Sequence, residues 1–446
     1  MINEKLPFGK LIAYSCGMLG WSILVNMIGV LLIYFYLPPS NSGLVNLLSQ
    51  AIILGALNVP TVITAAGRLV DALYDPFIGQ ASDKSKNKKG RRIPFMKWSV
   101  LPAVVFCSLV FFPLTKTESN SNAIWLTVTL ILFFVSATTY IIPYNALMPE
   151  MAHTSEDKVR FSTFQQVGFV IGVVIASATN NIADGIEYFF GTIERLNAVQ
   201  YSIWVLCAVG GIFMFIPVLA IDERKYCKGK PTHTPIITAI KHSFQNKNFV
   251  FYIAADFSYY MALYIITSGL LYFLTVLCGG KESEGVLLMG TMVGVSLLFY
   301  PFINKFANKI GKKKIVLFSF ALLSLLFLAI YNLGNFPINK ELQMYLLVIG
   351  ASFPLASLGI LPPAILAEIA EDDAEKTGEN REGLYFAVKY FVVKLGQTFG
   401  IALFAFLTLY GKDPGNDFGL RLNGICGFVL CVIAFIVFSG FKEKKN

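Results

Sequence analysis

The 446-residue chain is 55% apolar and only 14% charged, far from the roughly one quarter charged residues of a soluble domain, and this excludes a water-soluble globular fold. Its net charge of +9, from 36 Lys and Arg against 27 Asp and Glu, does not call for a nucleic-acid partner, because basic residues in a polytopic chain collect in cytoplasmic loops. A hydrocarbon core about 30 Å thick needs roughly 20 apolar residues per helix. Runs of that length predict spans at 10–36, 50–80, 97–115, 123–147, 161–182 and 200–220. After a polar break they resume at 250–277, 285–304, 315–333, 342–367, 384–410 and 420–441. The expectation is an all-α membrane protein of twelve transmembrane helices in two six-helix bundles, residues 1–221 and 250–446. The cytoplasmic loop 222–249 between them carries a surface helix near 235–244.

The first span follows a short polar start and lacks a small-residue cleavage pattern, so it reads as a retained helix rather than a signal peptide. Charge then orients the spans. The loop after span 2 carries Lys84, Lys86, Lys88, Lys89, Arg91, Arg92 and Lys97, and the loop after span 8 carries Lys305, Lys309, Lys312, Lys313 and Lys314. With a basic 222–249 segment and a basic tail, these place both termini in the cytoplasm. The two loops, GQASDKSKNKKGRRIPF and PFINKFANKIGKKKIVLF, fall at matching positions of the two halves and resemble the signature loop of the major facilitator superfamily. Paired halves of this kind are a recurring transporter plan in which rocking gives alternating access.

An ionisable group at membrane depth is expensive and is read first as functional. Span 2, AAGRLVDALYDPFIGQASD, places Arg68, Asp71 and Asp75 at i, i+3 and i+7 on one helical face. Counting at about 1.5 Å per residue from Asp83, Asp75 lies roughly 12 Å and Asp71 roughly 18 Å up, near mid-bilayer. Two carboxylates one turn apart repel unless a cation or a proton stands between them, which is the chemistry of a cation site. Pro76 frees the carbonyl of Ala72 as a further oxygen. A salt-bridged structural trio with Arg68 is the plainer alternative.

Span 11, REGLYFAVKYFVVKLGQTFG, adds Lys389 and Lys394, by the same count about 10 Å and about 18 Å from Glu382. Snorkelling serves Lys389 better than Lys394, so Lys394 is expected to matter more. Polar and aromatic candidates for a solute pocket are Tyr14, Ser22 and Asn26 on span 1, Thr138, Tyr140, Tyr144 and Asn145 on span 4, and Gln165 and Gln166 on span 5. Tyr259, Tyr260 and Tyr264 on span 7 serve equally as packing or interface anchors. The seven cysteines are scattered, and His153, His233 and His242 have no metal-ligand spacing, so neither disulfides nor a metal centre is expected.

Three stretches carry a resemblance. DALYDPFIGQASD with GRRIPF, IPYNALMPEM, and AEIAEDDAEKTGENREGLYFAVKYFVVKLG are similar to the glycoside, pentoside and hexuronide:cation symporters, whose best known members are melibiose carriers. The resemblance implies cation-binding carboxylates at Asp71 and Asp75, a neutral oxygen ligand at Thr138 and a membrane-embedded lysine at Lys394. It also marks departures. The sugar-binding aspartates of melibiose carriers fall at Ser22 and Ile141, an asparagine between the cation-site aspartates is Tyr74, and an arginine on span 5 is Gln165. These weaken a galactoside substrate and sodium coupling.

The resulting expectation is a secondary transporter, not an enzyme, of a bacterial inner membrane, working as a monomer. It couples a sugar, glycoside or hexuronide to Na+ or H+ and needs no cofactor. Cation ligands are Asp71, Asp75 and Thr138, and solute contacts are Ser22, Asn26, Arg68, Tyr144, Asn145, Gln165, Lys389 and Lys394. A lysophospholipid solute, as carried by distant relatives of the fold, and a transport-inactive sensor are the competing readings. No nucleophile and base pair suggests an enzyme, and no filter-like ring suggests a channel.

Overall fold

The computed structural model describes residues 7–36, 46–49, 52–53, 57–88, 90–152, 154–191, 193–227, 236–280, 284–379, 381–408, 410–411 and 414–443. Helices dominate, in the order α1 (Phe8–Tyr36), α2 (Val59–Lys84), α3 (Ile93–Val110), α4 (Asn120–Met151), α5 (Ser155–Ser177), α6 (Thr179–Phe190) and α7 (Arg195–Ala220). They continue with α8 (Glu223–Tyr226), α9 (Ile236–Gln245), α10 (Lys247–Tyr272), α11 (Glu284–Ile310), α12 (Lys312–Tyr331), α13 (Lys340–Thr377), α14 (Glu382–Thr408) and α15 (Phe418–Ser439). Among the described residues eleven helices are long and apolar enough to cross a membrane. The twelfth predicted span is α2, which is long enough at 26 residues but is loaded with Arg68, Asp71, Asp75, Asp83 and Lys84.

Span 2 departs from expectation at its start. The predicted helix from residue 50 is replaced at Ile52–Ile53 and Leu57–Asn58 by a two-residue antiparallel ladder, with Ile52 opposite Asn58. Pro60 sits at the second position of α2, where a missing N–H costs nothing, so the helix begins there. Span 5 also differs: α5 stops at Ser177 and a separate 12-residue α6 follows, closed by Gly191 in the left-handed region at φ 64°. The predicted surface helix near 235–244 is α9, at Ile236–Gln245.

The chain divides into two compact units. Unit 1 comprises Met1–His153, Phe164–Ile236 and Thr377–Ala387, and unit 2 comprises Thr154–Thr163, Ile237–Lys376 and Val388–Asn446. In unit 1, α1 and α3 both pack on α7, while α4 packs on α2 and α3. Backbones meet closely where α1 crosses α7: a Cβ on Gly20 would lie 2.3 Å from the Gly210 carbonyl oxygen, so only glycine fits. In unit 2, α10 and α12 both pack on α15. Spans 7 and 9 thus pair with span 12 just as spans 1 and 3 pair with span 6. Large apolar side chains including Phe77, Trp98, Leu101 and Leu219 stand more than half exposed, which is the surface a bilayer covers.

The internal echo read from the two basic loops extends to their contacts. In unit 1, Gly90 turns in the left-handed region at φ 114°, and the N–H groups of Arg91, Arg92 and Ile93 donate to the Glu223 carboxylate at 2.6 to 3.0 Å. In unit 2, Gly311 turns at φ 91°, and the N–H groups of Lys312 and Lys313 donate to Glu443 at 2.7 and 3.2 Å. Each half therefore caps the start of its third span with a glutamate placed just after its sixth, a favourable arrangement for an anion at a helix N-terminus. The basic side chains match as well: Arg91 and Arg92 pair with Glu150 near the end of α4 at 2.8 and 3.1 Å, and Lys312 pairs with Glu368 of α13 at 2.6 Å.

Arg92 is the densest node of unit 1. Fully buried, it lies 2.5 Å from Asp83 and 3.4 Å from Glu382, and donates to the Ser82 hydroxyl at 2.8 Å. Asp83 in turn accepts from the N–H groups of Gly383 and Leu384 at 3.1 and 3.0 Å. Burial works against the Arg92 charge, yet the carboxylates around it prevail and hold the guanidinium above its ordinary range. Burial prevails at Asp83, raising its carboxyl despite Arg92 and Arg91. Buried charges of this number persist only when paired and hydrogen-bonded, as these are.

Candidate functional site: a carboxylate pair with a shared hydroxyl

Because α2 lies along α4, the inward face of α2 meets the middle of the longer helix. Asp71 and Asp75 are both buried, Asp75 completely. The Thr138 hydroxyl on α4 stands 2.5 Å from Asp71 Oδ1 and 3.3 Å from Asp75 Oδ1. The three residues predicted as cation ligands are thus brought to one point. A hydroxyl has a single proton and donates fully to one carboxylate at a time. Two buried carboxylates converging on one hydroxyl are a set that a small cation or a proton can join. Two carboxylates and a neutral oxygen form a hard-oxygen donor set of the kind alkali cations take. Arg68 is half-buried one turn before Asp71. Tyr74, also half-buried, has its hydroxyl 3.4 Å from that of Thr139.

The polar residues proposed for the solute fall into two groups. Tyr14 and Tyr144 stack at 4.3 Å with ring planes 6° apart, and each hydroxyl donates to the other residue's carbonyl, at 3.2 and 2.7 Å. Tyr140 donates to the Met214 carbonyl at 2.8 Å. All three are fully buried, so their hydroxyls act as struts between α1, α4 and α7. Ser22 donates to the Phe169 carbonyl at 2.6 Å, and Asn26 donates to the Ser22 carbonyl and hydroxyl. Asn145 and Gln165 form the second group: the Gln165 amide donates to Asn145 Oδ1, and Gln165 Oε1 is buried with no hydrogen-bond partner among the described residues.

In unit 2 the two lysines of α14 differ in their burial by protein. Lys389 is buried, whereas Lys394, nearer mid-span, is half-buried. Height along a helix does not decide burial by protein; helical phase does, and five residues turn the side chain by about 140°. The residue that sequence reasoning missed is Asp256 of α10, a buried carboxylate in an apolar run whose Oδ2 has no hydrogen-bond partner among the described residues. Its signal was the one used for Asp71, an aspartate inside a span. Of the histidines, His242 is exposed beside Gln245, while His153 and His233 lie outside the described residues. The cysteines are free thiols, and no metal-binding cluster of three or more His, Cys, Asp or Glu occurs among the described residues.

Residues 13–412 match the family described as MFS/sugar transport protein. The chain belongs to that family. It is a multi-pass membrane transporter and not an enzyme, with the all-α major facilitator superfamily fold, and the resemblance to glycoside and hexuronide:cation symporters holds along its length. The isoprimeverose transporter of Lactiplantibacillus pentosus is 22% identical to this transporter over 100% of its chain and 91% of the relative's. The glucuronide carrier protein homolog of Escherichia coli is 22% identical, over 100% and 95% respectively. Among solved structures, the E. coli fucose:proton symporter superposes with a TM-score of 0.66 at 12% identity, covering 97% of this chain and 98% of that one.

Proposed function

We propose that this chain is a cation-coupled symporter of a sugar, glycoside or hexuronide. It works by alternating access of two six-helix halves, residues 1–221 and 250–446, joined by the segment 222–249, as a monomer in a bacterial inner membrane with both termini cytoplasmic. The observation that carries the coupling is the convergence of Asp71 and Asp75 on the Thr138 hydroxyl. Na+ fits the site by using both carboxylates and the hydroxyl as ligands, and H+ fits it by neutralising one of the two acids. Sugar as solute is supported by likeness to an isoprimeverose transporter and to a glucuronide carrier protein homolog, and by the buried Gln165, whose Oε1 has no hydrogen-bond partner among the described residues and suits a hydroxyl donor. Ser22, Asn26, Arg68, Lys389 and Lys394 complete the proposed solute set; Tyr144, expected in it from the sequence, gives its hydroxyl to the Tyr14 carbonyl instead.

The test is accumulation of sugars and uronides by proteoliposomes under imposed Na+ or H+ gradients. Wild type should concentrate solute under one of the two gradients, and Asp75→Asn should lower that accumulation at least tenfold. Uptake that ignores both gradients and is unchanged by the substitution would refute coupling at this site.

A further inference from the structure

Within unit 2, Asp256 of α10 and Lys389 of α14 are each only 4% exposed, inside segments long and apolar enough to span a bilayer. Tyr252 precedes Asp256 by four residues and so shares its helical face, at 2% exposure. The Tyr252 hydroxyl and Asp256 Oδ2 are both buried without a hydrogen-bond partner among the described residues. α14 runs close along α10, where a Cβ on Gly396 would lie 3.0 Å from the Phe257 carbonyl oxygen and one on Gly400 2.6 Å from that of Met261. This packing brings Lys389, two turns before Gly396, to the level of Tyr252 and Asp256. No direct ion pair closes between Lys389 and Asp256 among the described residues. The Lys389 ammonium stands 5.8 Å from the ring centre of Tyr390. Orphaned buried polar atoms and an open charge pair both cost stability. Their retention at one place in an apolar bundle is the mark of a binding site.

We infer that Asp256, Tyr252 and Lys389 form a hydroxyl-binding subsite that selects an uncharged polyol over its uronate. This rests on the reading of the solute as a sugar. The carboxylate only accepts, the ammonium only donates, and the tyrosine does either. A solute hydroxyl answers both charges at once, donating to Asp256 Oδ2 while its oxygen accepts from Lys389. A uronate carboxylate satisfies Lys389 alone and is repelled by Asp256, and a bare cation satisfies Asp256 alone and is repelled by Lys389. The half-buried rings of Tyr260, one turn beyond Asp256 on the same face of α10, and of Tyr390, which lies against the Lys389 ammonium, supply apolar faces for a pyranose. Lys394 projects from a different face of α14 and does not alter this balance.

The experiment compares matched probes on the full chain in proteoliposomes: the methyl pyranosides of glucose, galactose and xylose against methyl glucuronide and methyl galacturonide. Wild type should bind at least one neutral glycoside tenfold or more tightly than either uronide. Asp256→Asn should weaken that glycoside at least tenfold and shrink its preference over the uronides, whereas a purely structural role would weaken all probes alike. Tyr252→Phe should weaken the glycoside several-fold with the preference kept, and it decides the matter if Asp256→Asn does not fold. A wild type that prefers the uronides, or an Asp256→Asn protein within twofold of wild type, overturns the subsite and leaves the sugar reading intact. A wild type that takes up none of the probes under either gradient overturns both.

Discussion

Thr138 has one proton to offer and two carboxylates within reach of it, which makes it the most informative single position in unit 1. Replacing it with valine keeps the shape and removes the hydroxyl. Thr138→Val should therefore fold as wild type but weaken apparent cation affinity about tenfold, roughly 1.4 kcal/mol, read from the cation dependence of solute uptake. Thr138→Ser should restore it. Affinity unchanged in the valine protein would remove the hydroxyl from the ligand set. At this scale the sequence was legible at Asp71 and Asp75, charges standing in an apolar run, and the same signal at Asp256 went unread. It was less legible for Tyr14, Tyr140 and Tyr144, because whether a tyrosine faces a solute or braces a neighbouring helix depends on which carbonyl lies opposite it. Here the carbonyls of Met214 and of the stacked tyrosines themselves take the hydroxyls.

Among elements, the starts of α3 and α12 carry the same device with different burial. Glu223 is 4% exposed and takes three backbone N–H groups of the α3 start, whereas Glu443 is half-buried and takes two at α12. Burial pushes the Glu223 carboxyl up, with Glu150 adding to it, against the backbone donors that favour the charged form. Glu223→Ala leaves buried donors unanswered and should cost roughly 2–4 kcal/mol. Glu443→Ala, where water replaces the carboxylate, should cost about 1 kcal/mol, as a lost helix cap does. Thermal unfolding in detergent measures both, and equal losses would show that burial does not set the strength of the cap. The basic clusters were visible in the sequence, but their acidic partners Glu223 and Glu443 lie more than a hundred residues away along the chain, beyond any local pattern.

For the whole molecule, the proposed orientation rests on the basic loops 83–97 and 304–314 lying in the cytoplasm. In a cysteine-free background, a cysteine at Lys86 should react with an impermeant maleimide only in inside-out vesicles, and one at Lys116 only in right-side-out vesicles. The opposite pattern would invert the assigned topology. Sequence alone determined that this is a membrane protein, where most of its helices run and which acids of span 2 stand within an apolar run, because hydropathy and misplaced charge are properties of the chain itself and the bilayer punishes both. Tertiary structure alone decided what each polar group touches. It joined Thr138 to the two aspartates, committed the tyrosines of unit 1 to helix packing, and exposed Asp256 as the companion of Lys389. The physical reason is that a buried side chain's role is set by its partner's position, and partners on separate helices have no fixed spacing in sequence.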